Sequence, residues 1–134
     1  MLEIHEEHPE KLLHRATTEK IIGAAFEVHD QLGYGFLERV YQRALQVELI
    51  RRGVAAEIER RIQVQYKGVV VGDYDADLIV ADSVAVEIKV NPQYDKRDEA
   101  QLLNELKAIG LKGLILDFVS SKVNEHSHLE TDCF

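Results

Sequence analysis

The chain has 134 residues, 46% hydrophobic and 30% charged, the composition of one globular domain long enough to bury a real core. No apolar run approaches the roughly 18 residues of a membrane helix, no signal-peptide pattern opens the chain, and one cysteine excludes an internal disulfide framework, so a cytoplasmic location is expected. A net charge of −8 argues against broad binding of nucleic acid by phosphate neutralisation, while leaving room for local basic patches.

Residues 1–16 are polar, rich in Glu and His, and interrupted by Pro9, which suggests an N-terminal arm. Thr17 or Thr18 can cap a helix running to about Leu32, with Ile21, Ala25, Val28 and Leu32 as its apolar stripe and Gly33 at its end. Gly33-Tyr34-Gly35 then turns the chain into a second helix, about 36–52, whose stripe is Leu37, Val40, Tyr41, Ala44, Leu45 and Leu49. Three strand-like stretches follow, about 56–66, 69–80 and 84–90, joined at Lys67-Gly68 and Ala81-Asp82-Ser83 as an antiparallel meander. Pro92 ends the third. A helix is expected over about 95–109, with Ala100, Leu103, Leu106 and Lys107 at helical spacing, and a buried strand at 113–118. Residues 120–134 form a polar tail, where His126, His128 and Cys133 are too loosely placed to argue for zinc. The expectation is an α/β fold of order ααβββαβ, with a mixed four-stranded sheet flanked by helices.

The chemistry concentrates in the hairpin. Val84, Val86, Ile88 and Val90 alternate with Ala85, Glu87 and Lys89, so the acid and the lysine share one face of their strand. If Ala81, Asp82 and Ser83 all form the loop, Val80 faces Val84, Asp77 falls opposite Glu87, and Asp75 falls opposite Lys89. Opposed side chains lie about 5 Å apart at Cβ, close enough for two carboxylates to repel unless a cation lies between them. Magnesium favours this kind of site, with one or two carboxylates plus substrate phosphate, and the backbone carbonyl of Ile88 could add a third oxygen. Lys89 could then orient the attacking water and offset charge on the phosphate. A solvated hairpin face with an Asp75–Lys89 ion pair is the competing reading. Asp73, Asp75 and Asp77 begin like a calcium loop, but Leu78 and Val84 stand where that loop needs glycine and glutamate. Taken alone, Glu38 is an acid placed favourably in the first turn of a helix, and Gln101 is a surface glutamine.

Gly35-Phe36-Leu37-Glu38-Arg39-Val40-Tyr41 resembles the signature of the GxxExxY protein family, a branch of the PD-(D/E)XK nuclease superfamily. The likeness extends over about 17–119 through Ile21–Ala25, Val64–Gly68, Ala76–Val80, Val86–Lys89, Ala100–Asn104 and Gly113–Phe118. It implies a restriction-endonuclease-like core in which Asp77 and Glu87 hold the metal and Lys89 is catalytic. Glu38 would complete the acidic shell directly or through water, and Gln101 would match the glutamine that follows the core motif in RecB-type nucleases. Glu105 and Asp98 depart from that pattern, standing where tyrosine and, often, histidine are found.

The resemblance thus implies a nuclease dependent on Mg2+ or Mn2+ that hydrolyses phosphodiester bonds in DNA. The alternative is a catalytically silent nucleic-acid-binding or assembly module on the same fold. The acidic charge favours help from a homodimer or a partner protein, and no membrane contact is expected.

Overall fold

The computed structural model describes residues 9–90, 103, 106, 110–118 and 124–126. Helix α1 spans Pro9–Leu32 and α2 spans Glu38–Arg51. Thr17 and Thr18 are therefore buried inside α1 rather than capping it. Proline is tolerated in a first helical turn, because its missing N–H would have no intrahelical partner there, so Pro9 does not hold the helix back. In α2 the inward face is Tyr41, Gln42, Leu45 and Leu49, whereas Leu37 and Val40, expected in the buried stripe, are exposed.

Seven strands follow among the described residues: β1 Ala56–Ile58, β2 Arg61–Tyr66, β3 Val69–Asp75, β4 Leu78–Val80, β5 Val84–Lys89, β6 Lys112–Asp117 and β7 Asn124–His126. They form a five-stranded sheet of order β1-β4-β5-β6-β7 and a separate two-stranded sheet, β2-β3. Pairing is antiparallel except between β5 and β6, so the larger sheet is mixed. The expected meander is present in its pairing but not in its continuity. Each of its first two strands breaks in the middle, at the left-handed Glu59 (φ 55°) and at Ala76-Asp77, so the outer half of the hairpin bends off as its own sheet. The polar tail also adds a short edge strand at 124–126.

Two apolar clusters sandwich the larger sheet. Ile21, Ala25 and Val28 of α1 and Tyr41, Leu45 and Leu49 of α2 pack on Val84, Val86, Ile88, Leu114 and Leu116. On the other face, Ile79 and Ala85 meet Ile62, Ala76 and Leu106. Leu103 and Leu106 are helical, as expected of the segment 95–109, whose other positions, Asp98, Gln101 and Glu105 among them, lie outside the described residues. A side chain at Gly113 would run into Leu103 and Leu106, so the close seating of this helix on β6 requires glycine there.

Candidate active site

The β4–β5 loop decides where the acids go. Ala81 and Asp82 are both left-handed, and Val80 pairs with Val84, which is the three-residue register. The ladder continues to Leu78–Val86, and Asp77 comes next, in the break between β3 and β4. Its carboxylate Oδ2 accepts the backbone N–H of Ile88 at 2.8 Å. Asp77 and Glu87 thereby lie side by side, close enough to share a hydrogen bond. Burial, the charge of Asp77 and that shared bond push the Glu87 carboxyl up to about 8, while the Tyr74 hydroxyl, which donates to Glu87 Oε2, and the charge of Lys89 pull it down.

Asp75 does not join them. It pairs with Arg61 across the β2–β3 ladder and accepts from Arg61 Nε at 2.6 Å, so the Asp75–Lys89 pair is excluded. The bend that splits the meander separates Asp75 from Asp77 although only one residue lies between them.

Glu38 enters from α2. It is the first residue of the helix, and a linked set of contacts fixes the turn before it. The Tyr41 hydroxyl donates to the Gly33 carbonyl at 2.7 Å and accepts the Phe36 N–H at 3.3 Å, while its ring stacks on Phe118 at 4.4 Å between centroids. Gly35 sits at φ 105°, a conformation that side chains rarely allow. The glycine and tyrosine of the Gly35–Tyr41 stretch therefore build the turn that presents Glu38. The Glu38 carboxyl is raised by burial and by the charge of Asp77 and lowered by Lys89, which ties it electrically to the same site. Among the described residues, no three acidic, His or Cys side chains stand close enough to hold one ion directly. Asp77 and Glu87 are the adjacent pair, with Glu38 further out. Ile88 lies buried between Glu87 and Lys89, and Gln101 falls outside the described residues.

Two neighbours were not visible in the motif. Gln42 is buried, and its Nε2 donates to the Asp77 carbonyl oxygen at 2.9 Å, beside the Glu59 N–H at 3.2 Å. Its signal was available: Gln42, Leu45 and Leu49 share a helix face, so Gln42 is a polar residue set in an apolar stripe, one turn beyond Glu38. Tyr74 had no such signal, because its approach to Glu87 depends on the hairpin bend.

No curated protein and no solved structure matches the chain. The family model of the PD-(D/E)XK nuclease superfamily matches residues 15–128, which takes in most of α1, all of α2, both sheets and the acids Glu38, Asp77 and Glu87. Asp77 followed by Glu87-Ile88-Lys89 is the acid and acid-x-lysine pattern written in that name, and the chain belongs to the PD-(D/E)XK nuclease superfamily.

Proposed function

We propose that the protein is a divalent-metal-dependent nuclease of the GxxExxY type, hydrolysing phosphodiester bonds in DNA in the cytoplasm. The observation that carries this reading is the adjacency of Asp77 and Glu87, each held by a partner, with the charge of Asp77 raising the cost of charging Glu87. Nucleases of this superfamily generally use divalent metals, and the donor set fits one: two hard carboxylates whose repulsion a cation would relieve. Asp77, Glu87 and the Ile88 carbonyl would hold Mg2+ or Mn2+, with Glu38 acting through water at its greater remove. A bound ion would supply Lewis-acid stabilisation of the phosphate charge. Lys89 would orient the attacking water and offset the same charge. As the water oxygen bonds to phosphorus, the opposite P–O bond breaks and its oxygen takes up a proton. The resemblance would give Gln101 the role of orienting the site.

The alternative is a non-catalytic nucleic-acid-binding or assembly module, kept in play because a charge of −8 makes tight DNA binding by this chain alone difficult; a homodimer or partner protein would then supply the missing contacts. Cleavage decides between them. Wild type and Asp77→Ala would be incubated with duplex, single-stranded and branched DNA and with RNA, each in magnesium, manganese or EDTA. Metal-dependent cutting by the wild type alone is expected. Failure to cut any substrate while binding manganese would favour the silent module.

A further inference from the structure

We infer that the turn before Glu38 and the first turns of α2 form a docking surface for an unpaired nucleic-acid strand, which makes single-stranded or splayed DNA the substrate class. The inference rests on the nuclease reading above. Four apolar side chains stand out to water around Glu38: Tyr34 (61% exposed), Phe36 (44%), Leu37 (77%) and Val40 (37%). Leaving such groups wet in one short stretch marks a contact surface rather than scatter. They are not loosely hung. The Phe36 backbone is bonded to the Tyr41 hydroxyl, and its ring meets Tyr41 edge-on at 6.0 Å.

Arg39 and Arg43 lie one helical turn apart on the same stretch, both exposed, and neither makes an ion pair among the described residues. Arg52, Arg60 and Arg61, by contrast, are each paired with acids. In a chain of net charge −8, Arg39 and Arg43 give this stretch, close in sequence to two exposed aromatic rings, positive charge that a phosphate backbone could use.

The charge also decides which strand. A net charge of −8 weighs against a broad neutralising face, the usual source of duplex affinity. Base-on-aromatic stacking gives affinity that needs little net charge, but only unpaired bases offer their faces. The surface runs directly into Glu38, whose carboxyl feels both Asp77 and Lys89. A strand stacked on Tyr34 and Phe36, with its phosphates on Arg39 and Arg43, would lead toward the paired carboxylates.

Fluorescence anisotropy in EDTA, where no cleavage occurs, tests this with a labelled oligothymidylate of about a dozen nucleotides and a duplex of equal length. Tighter binding of the single strand is expected, weakened about tenfold by Tyr34→Ala, the loss of one stacked base, and retained by Tyr34→Phe. Arg39→Ala with Arg43→Ala should lower the salt slope by roughly two. Equal or tighter duplex binding, no binding of either, or no effect of Tyr34→Ala overturns the inference. So does sedimentation showing that Tyr34→Ala dissolves a self-associated wild type, which would make the surface a protein interface. Single-strand binding as described without any metal-dependent cleavage supports this surface and defeats the catalytic reading. Cleavage of duplex at equal rates by wild type and Tyr34→Ala defeats this surface alone.

Discussion

Gln42 and Glu87 represent two ways a side chain can serve the site without touching substrate. Gln42 acts through the main chain: its amide fixes the Asp77 carbonyl, and with it the direction in which the Asp77 carboxylate leaves the backbone. Gln42→Leu keeps the volume and burial but removes the donor. Loss of about 1–2 kcal/mol of stability is expected in urea unfolding, from one broken buried hydrogen bond. Manganese affinity by calorimetry should fall by about tenfold, the usual cost of losing a group that supports a ligand. Glu87, which would hold the metal as a carboxylate, keeps a proton in the metal-free protein. Its folded-state pKa of about 8 lies above the ordinary 4.5, so between those values the folded chain holds a proton that the unfolded chain has lost. Stability must therefore fall as pH rises across that window. In EDTA, wild type should lose on the order of 3 kcal/mol relative to Glu87→Gln between pH 5 and 8, at about 1.4 kcal/mol per pKa unit less what partial exposure screens. Parallel denaturation midpoints for the two proteins across that range would contradict it.

At the scale of elements, the seating of the helix containing Leu103 and Leu106 on β6 sets the wall opposite α1 and α2. Gly113→Ala forces the Leu103 and Leu106 side chains outward and should cost about 1–3 kcal/mol, typical of overpacking. Adding Leu103→Ala should recover part of that loss in thermal unfolding, because it removes the side chain the new methyl strikes. The elements also show what a sequence can and cannot say. The β4–β5 register was legible only on the condition that Ala81, Asp82 and Ser83 all form the loop, and the structure meets that condition. The breaks at Glu59 and Ala76-Asp77 were not, since neither glycine nor proline marks them, and they arise from where the hairpin can pack. That unseen bend is why Asp75 went to Arg61 and why Tyr74 arrived at Glu87. Helix α1 ran past its expected start because a proline is permitted in a first turn. On α2 the apolar stripe was read slightly off its axis, which missed the inward Gln42 and counted the outward Leu37 and Val40 as core.

For the whole molecule, the family establishes a nuclease-like domain spanning most of the chain, and among the described residues no helix is long and apolar enough to cross a membrane. A metal that binds only the folded chain must stabilise it as a whole. Manganese at about a hundred times its dissociation constant should add roughly 2.7 kcal/mol to unfolding, read as a rise in melting temperature, and Asp77→Asn should abolish the rise. An unchanged melting temperature in wild type would show that the two carboxylates bind no ion.

Asp77 is the meeting point of α2, the β1–β2 bend and β5, and its tie to Gln42 spans 35 positions of chain. Closing so long a loop costs chain entropy before the contact rewards it, which slows folding. A growing polypeptide that has issued Glu38 and Asp77 still lacks the strand that supplies Glu87 and Lys89, and that strand lies against β6, more than twenty residues further on. A chain that stops short of β5 therefore lacks two of the three residues of the acid and acid-x-lysine pattern, whatever else of the fold it has formed.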